Sequence, residues 1–252
     1  MDKNCFMHMP APWGSLPTAA QLLLWLFFAL VSLNPQAWAQ YVLETEAIYG
    51  KEVHRNRISV FPGKNAHIAK KTSFNRYVRA DIRLSEQSGK AKVDYSFELS
   101  GSSDGGPALQ LNSALIMPPG RRLLVARGKD WGLHFKLIDT DERLTRKAGD
   151  YGNLYLDLNL ETISSTEAIK AAVLPKGRFE VICNAGENSK TFIQLFPADI
   201  VGGALSLKYY MNITRADEKV SGSGETLPLM LREATPVAYG DNWKLSGSYA
   251  RY

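Results

Sequence analysis

The stretch Ile58-Ser-Val-Phe-Pro-Gly63, followed by Ala66 and Ile68, joins one short apolar strand to another through a Pro-Gly turn. Proline removes a backbone donor and glycine accepts a left-handed backbone, so the pair stops a strand and redirects the chain. The pattern returns as Leu115-Ile-Met-Pro-Pro-Gly120 before Leu123 and Val125, and as Ala172-Val-Leu-Pro-Lys176 before Phe179, Val181 and Cys183. A degenerate copy, Leu227-Pro-Leu-Met-Leu-Arg232, precedes Val237 and Tyr239. Positions 63, 120, 176 and 232 stand 57, 56 and 56 residues apart, which points to an internal repeat.

Outward from each turn the sequence alternates apolar and polar residues, the period of a half-buried strand. The alternation runs through 41–47, 93–99, 154–160 and 205–211 ahead of the turns, and through 78–84, 133–137, 192–196 and 243–249 after them. One wet face and one packed face suit an antiparallel sheet. The best helical candidate, Ser164 to Ala172, carries a capping-box pair at Ser164 and Glu167 and is expected to continue as a strand. The expected fold is all-β: four four-stranded repeats of about 56 residues, too small to bury a core singly and therefore paired. Two tandem antiparallel β-sandwiches follow, a basic one over 41–139 and a second over 150–252. The charged, glycine-containing segment 140–149 links them. A single four-bladed propeller-like domain is the alternative.

Ahead of the first strand lies an uncharged apolar run, residues 22–33, too short to cross a bilayer as a helix. It is followed by Ala37 and Ala39 in the small positions of a cleavage site, so residues 1–39 read as a signal peptide cut after Ala39. The expected location is periplasmic or extracellular. Of the 2 cysteines in 252 residues, Cys5 leaves with the leader, and Cys183 alone makes no internal disulfide.

Charge is divided unevenly. Residues 41–139 hold 16 Lys/Arg and 10 Asp/Glu, a surplus of +6, whereas residues 140–252 hold 13 and 14, or −1. The surplus gathers at Lys64, Lys70, Lys71, Arg76, Arg79 and Arg83, and again at Arg121, Arg122, Arg127 and Lys129. Such residues keep sheet edges from pairing, and they also attract anionic partners over distance. No basic-aromatic RNA motif or helix-turn-helix pattern accompanies them, so nucleic acid is not an expected partner.

The search for catalytic motifs yields little. His54, His67 and His134 have no metal-ligand spacing, and Ser221-Gly-Ser-Gly224 is not a nucleophile elbow. Gly101-Ser-Ser-Asp-Gly-Gly106 lacks the lysine of a phosphate loop. Carboxylates cluster at Asp139-Thr-Asp-Glu142 and at Asp217-Glu218 without the alternation or turn glycine of a calcium loop. No catalytic, metal or cofactor-binding residue is therefore assigned. Asn212-Ile-Thr214 fits the glycosylation triplet, relevant to a eukaryotic secretory route. The expected function is an exported, non-enzymatic β-rich envelope protein, a binding or assembly module of a secretion or surface complex. Its basic face takes an envelope protein or an anionic envelope polymer. An exported hydrolase or glycan-active enzyme with a site built from distant loops is the alternative. A small outer-membrane β-barrel is the second.

Overall fold

The computed structural model describes residues 41–72, 76–100, 107–140, 144, 152–184, 189–215 and 218–251. The leader with Ala37 and Ala39, the 101–106 connection, Asp141, Glu142, Asp217 and, apart from Thr140 and Leu144, the 140–149 linker lie outside the described residues.

The first half supplies eight strands: β1 (Tyr41–Tyr49), β2 (Glu52–Val60), β3 (Asn65–Lys71), β4 (Tyr77–Gln87), β5 (Lys90–Ser100), β6 (Pro107–Met117), β7 (Arg122–Arg127) and β8 (Trp131–Asp139). The second supplies β9 (Leu154–Thr162), β10 (Thr166–Val173), β11 (Phe179–Asn184), β12 (Lys190–Val201), β13 (Ala204–Thr214), β14 (Lys219–Glu225), β15 (Leu229–Leu231), β16 (Thr235–Gly240) and β17 (Trp243–Arg251). The protein is all-β, with no helix among the described residues. Its 17 strands belong to one large sheet, nearly closed and barrel-like.

Register pairing resolves this barrel into two layers. One runs β2-β1-β8-β7-β10-β9-β17-β16 and the other β3-β4-β5-β6-β11-β12-β13-β14, every neighbour antiparallel. β15 joins the layers at one rim, antiparallel to β13 and parallel to β17. At the opposite rim β2 pairs with β1 and β3 with β4, and no register pairs β2 with β3 among the described residues.

The chain changes layer where the turn signals stand, between β2 and β3, β6 and β7, β10 and β11, and through β15 after β14. Gly63, Gly120, Lys176 and Arg232 all have positive φ, at 72°, 74°, 57° and 60°. Each donates its backbone N–H to a carbonyl on the neighbouring strand of the layer the chain is entering, that of Leu84, Leu137, Pro197 and Tyr249 respectively, at 2.7–2.9 Å. The left-handed residue turns the chain into that ladder, and glycine, which takes positive φ without strain, occupies two of the four positions.

Alternation decides which face is packed. On β4, Val78, Ala80, Ile82 and Leu84 are buried while Arg79, Asp81 and Arg83 are exposed. Complete burial of a Leu or Phe contributes roughly 1.5–3 kcal/mol, so each strand places its apolar set between the layers. There, Tyr95 of β5 meets Phe135 of β8 edge-to-face at 5.1 Å, and Tyr209 of β13 meets Trp243 of β17 at 6.0 Å.

Two expectations meet a different arrangement. The halves 41–139 and 150–252 are not drawn as two tandem sandwiches. Cys183–Glu180 of β11 lie opposite Leu109–Asn112 of β6, and Lys170 and Ala171 of β10 lie opposite Arg127 and Ala126 of β7. Both layers thus continue from one half into the other, and Gln40–Tyr252 form one unit. The inner strands β6 and β7 would otherwise end the first half with unpaired backbone groups, which is costly beside a core. The same shared ladders replace separate propeller blades.

Candidate functional site

The outer face of β2, β1, β8 and β7 carries a trough of about 400 Å³ lined by charged side chains. Its order follows from a hairpin turn at Gly50, which sets Glu46 opposite Arg55 and Glu44 opposite Arg57. On the other flank of β1, Glu46 faces His134 and Glu44 faces Lys136 of β8. Two rows of alternating charge result. In the first, the Arg55 Nε donates to Glu46 Oε2 at 2.7 Å and the Arg122 guanidinium donates to Glu46 Oε1. In the second, Glu44 lies 3.8 Å from Arg57 and 3.6 Å from Lys136. Opposite charges directly across a ladder stabilise it modestly. Each row ends on β2 with an exposed arginine, Arg55 at 76% and Arg57 at 66% side-chain exposure.

Two titratable groups of the trough depart from their ordinary values. A hydrogen bond from Arg55 pulls the Glu46 carboxyl below its ordinary value, with Arg122 adding to the effect against the cost of burial. Burial pushes His134 down, and the neighbouring Arg122 pushes it further, so its imidazole stays neutral at physiological pH. His134 Nδ1 is buried without a hydrogen-bond partner among the described residues. A general acid needs a carboxyl raised toward neutrality, and Glu46 moves the other way.

The other layer carries a shallower trough of about 490 Å³ over β3 to β6, with Asp81, Asp94, Arg83 and Arg178 along its walls. There, His67 Nδ1 and Asp81 Oδ1 are 2.7 Å apart. Its charges balance, so it offers no surplus to a ligand. Cys183 is partly buried, and burial raises its thiol to about 11, which leaves it unreactive. No cluster suited to a metal ion occurs among the described residues.

The ten basic residues singled out in the sequence do not share one face. Lys64 in the first crossing, Lys70 and Lys71 on β3, and Arg79 and Arg83 on β4 line the open rim of the second layer. Arg122 and Arg127 on β7, with Arg121 and Lys129 beside it, belong to the first layer. Arg79 and Arg83 have no ion-pair partner among the described residues, whereas Lys71 lies over the Tyr77 ring at 5.9 Å. Arg76 is tied inward. Its Nε donates to Glu52 Oε2 at 3.0 Å and its Nη1 to the Ser100 carbonyl at 3.1 Å, and its guanidinium sits 5.1 Å from the Tyr49 ring centre. That clamp spans the open rim, because Glu52 begins β2 while Arg76 and Ser100 belong to the opposite layer.

Arg55, Arg57 and Lys136 of the trough stand apart from the two basic clusters of the sequence. The signal was present in the hairpin arithmetic: positions equidistant from Gly50–Lys51 must face each other. With these included, residues 51–87, which span β2 to β4, hold nine Lys/Arg and three Asp/Glu, or +6. No family model matches the chain, and comparison with curated proteins and with solved structures gave no significant match.

Proposed function

We propose that the chain is an exported, non-enzymatic β-module, assembled from four units of about 56 residues, that captures an anionic partner at its open rim. The observation that carries this reading is the gathering of net +6 over residues 51–87, the strands β2 to β4 that frame the rim together with their turns. A low-dielectric wall lined by one sign of charge focuses the field and speeds encounter with an opposite charge. The unit reading draws support from the four left-handed layer crossings and their equivalent hydrogen bonds. Export draws support from the apolar run 22–33 with Ala37 and Ala39. Charged outer faces, as on β4, favour a water-facing module over a membrane barrel, whose lipid-facing strand positions are apolar. The depressed Glu46 carboxyl favours binding over acid-base chemistry.

Arg79→Glu/Arg83→Glu tests the reading, because both side chains are exposed and unpaired. Binding of polyphosphate and of polyglutamate at low salt is expected to weaken about tenfold, a loss of about 1.4 kcal/mol, with the melting temperature unchanged. Equal affinity in the charge-reversed protein overturns it.

A further inference from the structure

We infer that the trough on the outer face of β2, β1, β8 and β7 is a binding site for a phosphomonoester, its phosphoryl oxygens held by Arg55, Arg57, Arg122 and Lys136. The inference rests on the anionic-partner reading above and names a ligand for it, a single dianionic group seated beside the rim.

Size and charge agree on that ligand. A volume of about 400 Å³ falls within the roughly 300–1,000 Å³ of small-ligand sites. Arg55, Arg57, Arg122 and Lys136 line the trough against Glu44 and Glu46, which leaves a surplus of two positive charges while His134 is neutral. The trough of the other layer sets Asp81 and Asp94 against Arg83 and Arg178 and has no such surplus. Near neutral pH a phosphomonoester carries about −1.5 to −2, whereas a carboxylate or a sulfate ester carries a single charge. The phosphoryl group therefore matches the surplus best.

Arrangement adds to charge. Arg55 and Arg57 stand two residues apart on β2 and so share its outer face, while Arg122 and Lys136, opposite each other on β7 and β8, stand on the far flank of β1. Between the flanks, Glu46 receives the Arg55 Nε on one oxygen and the Arg122 guanidinium on the other. One carboxylate thus fixes a guanidinium from each side, and a guanidinium with five donors keeps others for a ligand. Arg57 and Lys136 lie 3.8 and 3.6 Å from Glu44, beyond hydrogen-bond length, so neither is committed to it. Donors arriving from two flanks suit a tetrahedral group, whose terminal oxygens diverge, better than a planar carboxylate.

Titration calorimetry of the full chain at about 0.15 M salt, where distant charges are screened, provides the test. Phenyl phosphate is expected to bind about tenfold more tightly than benzoate, a singly charged ligand with the same ring. Arg57→Gln is expected to lower the affinity for phenyl phosphate about tenfold with the melting temperature unchanged, whereas Arg79→Glu/Arg83→Glu should leave it within about twofold. Glu46→Ala separates an organised site from a diffuse field. It adds a positive charge, so a field alone would bind more tightly, whereas Arg55 and Arg122 without their shared anchor bind more weakly. Tighter binding in that variant, equal affinity for the two ligands, or an undiminished affinity in Arg57→Gln overturns the site while the anionic-partner reading stands. Failure of polyphosphate and polyglutamate to bind as well removes both.

Discussion

Glu180 shows how a single charge holds the junction between the halves. It lies on β11 opposite Asn112 of β6, only 8% exposed. Asn112 Nδ2 donates to Oε1 at 2.8 Å, and Gln194 and Arg178 donate to Oε2. Burial by itself would raise this carboxyl, and the three donors outweigh it, so the carboxyl falls below its ordinary 4.5. A folded value below the unfolded one adds stability above the ordinary value, and that stability is lost as pH falls through the folded value. Glu180→Ala is expected to cost about 2 kcal/mol in urea unfolding at neutral pH, because it strands buried donors. The gap from the parent protein should narrow as pH falls below the ordinary 4.5 and through the lowered folded value, and a gap independent of pH would contradict the charged role. None of this was legible beforehand, since the partners come from three separate places in the chain. The Glu44–Arg57 and Glu46–Arg55 pairs were legible in principle, because one hairpin determines them.

Turns and strands were the most readable level. The Pro-Gly signals at 63 and 120 mark layer crossings, and their glycines are needed for φ alone: a Cβ at either would meet nothing within 4 Å. Lys176 and Arg232 hold the same left-handed backbone at a cost of roughly 1–2 kcal/mol each for a residue with a side chain. Lys176→Gly and Arg232→Gly are therefore expected to raise stability by about 0.5–1 kcal/mol, and Gly63→Ala and Gly120→Ala to lower it by about 1–2 kcal/mol, all read from denaturant midpoints. Losses in the first pair would show that these side chains do more than occupy a turn. The segment with helical promise, Ser164 to Ala172, mostly becomes β10, because Ala171, Ala172 and Val173 are buried in a layer between β9 and β7. Its cap-forming residues serve a different purpose. Glu218 of the β13–β14 turn accepts from Thr162, Ile163 and Ser164. Arg215 binds Ser165 and Glu167. Tertiary bonding of this kind overrides a local capping preference.

At the scale of the molecule, strand alternation predicted an all-β protein and did not predict how its halves join. A charged segment at 140–149 has the composition of a linker whether or not strands on either side pair. Pairing partners over a hundred residues of possible register leave no mark in local sequence. The joint is narrow in the first layer, where β7 meets β10 through Lys170–Arg127 and Ala171–Ala126, and wider in the second, where β6 meets β11 over four pairs. Buried Asn153 strengthens it by bonding both the N–H and the carbonyl of Ile116, at 2.9 and 2.8 Å. Calorimetry of residues 40–252 is expected to give one cooperative transition with matching calorimetric and van't Hoff enthalpies. Two resolved transitions would mean that the halves are independently stable bodies.

The two rims of the barrel are unequal, and that inequality sets where it yields. β15 draws the layers together at one rim by pairing with both β13 and β17. At the other rim the Arg76 clamp on Glu52 holds them through side chains, and no register pairs β2 with β3 among the described residues. Side-chain bonds part more readily than a main-chain ladder, so local opening begins at the β2–β3 rim.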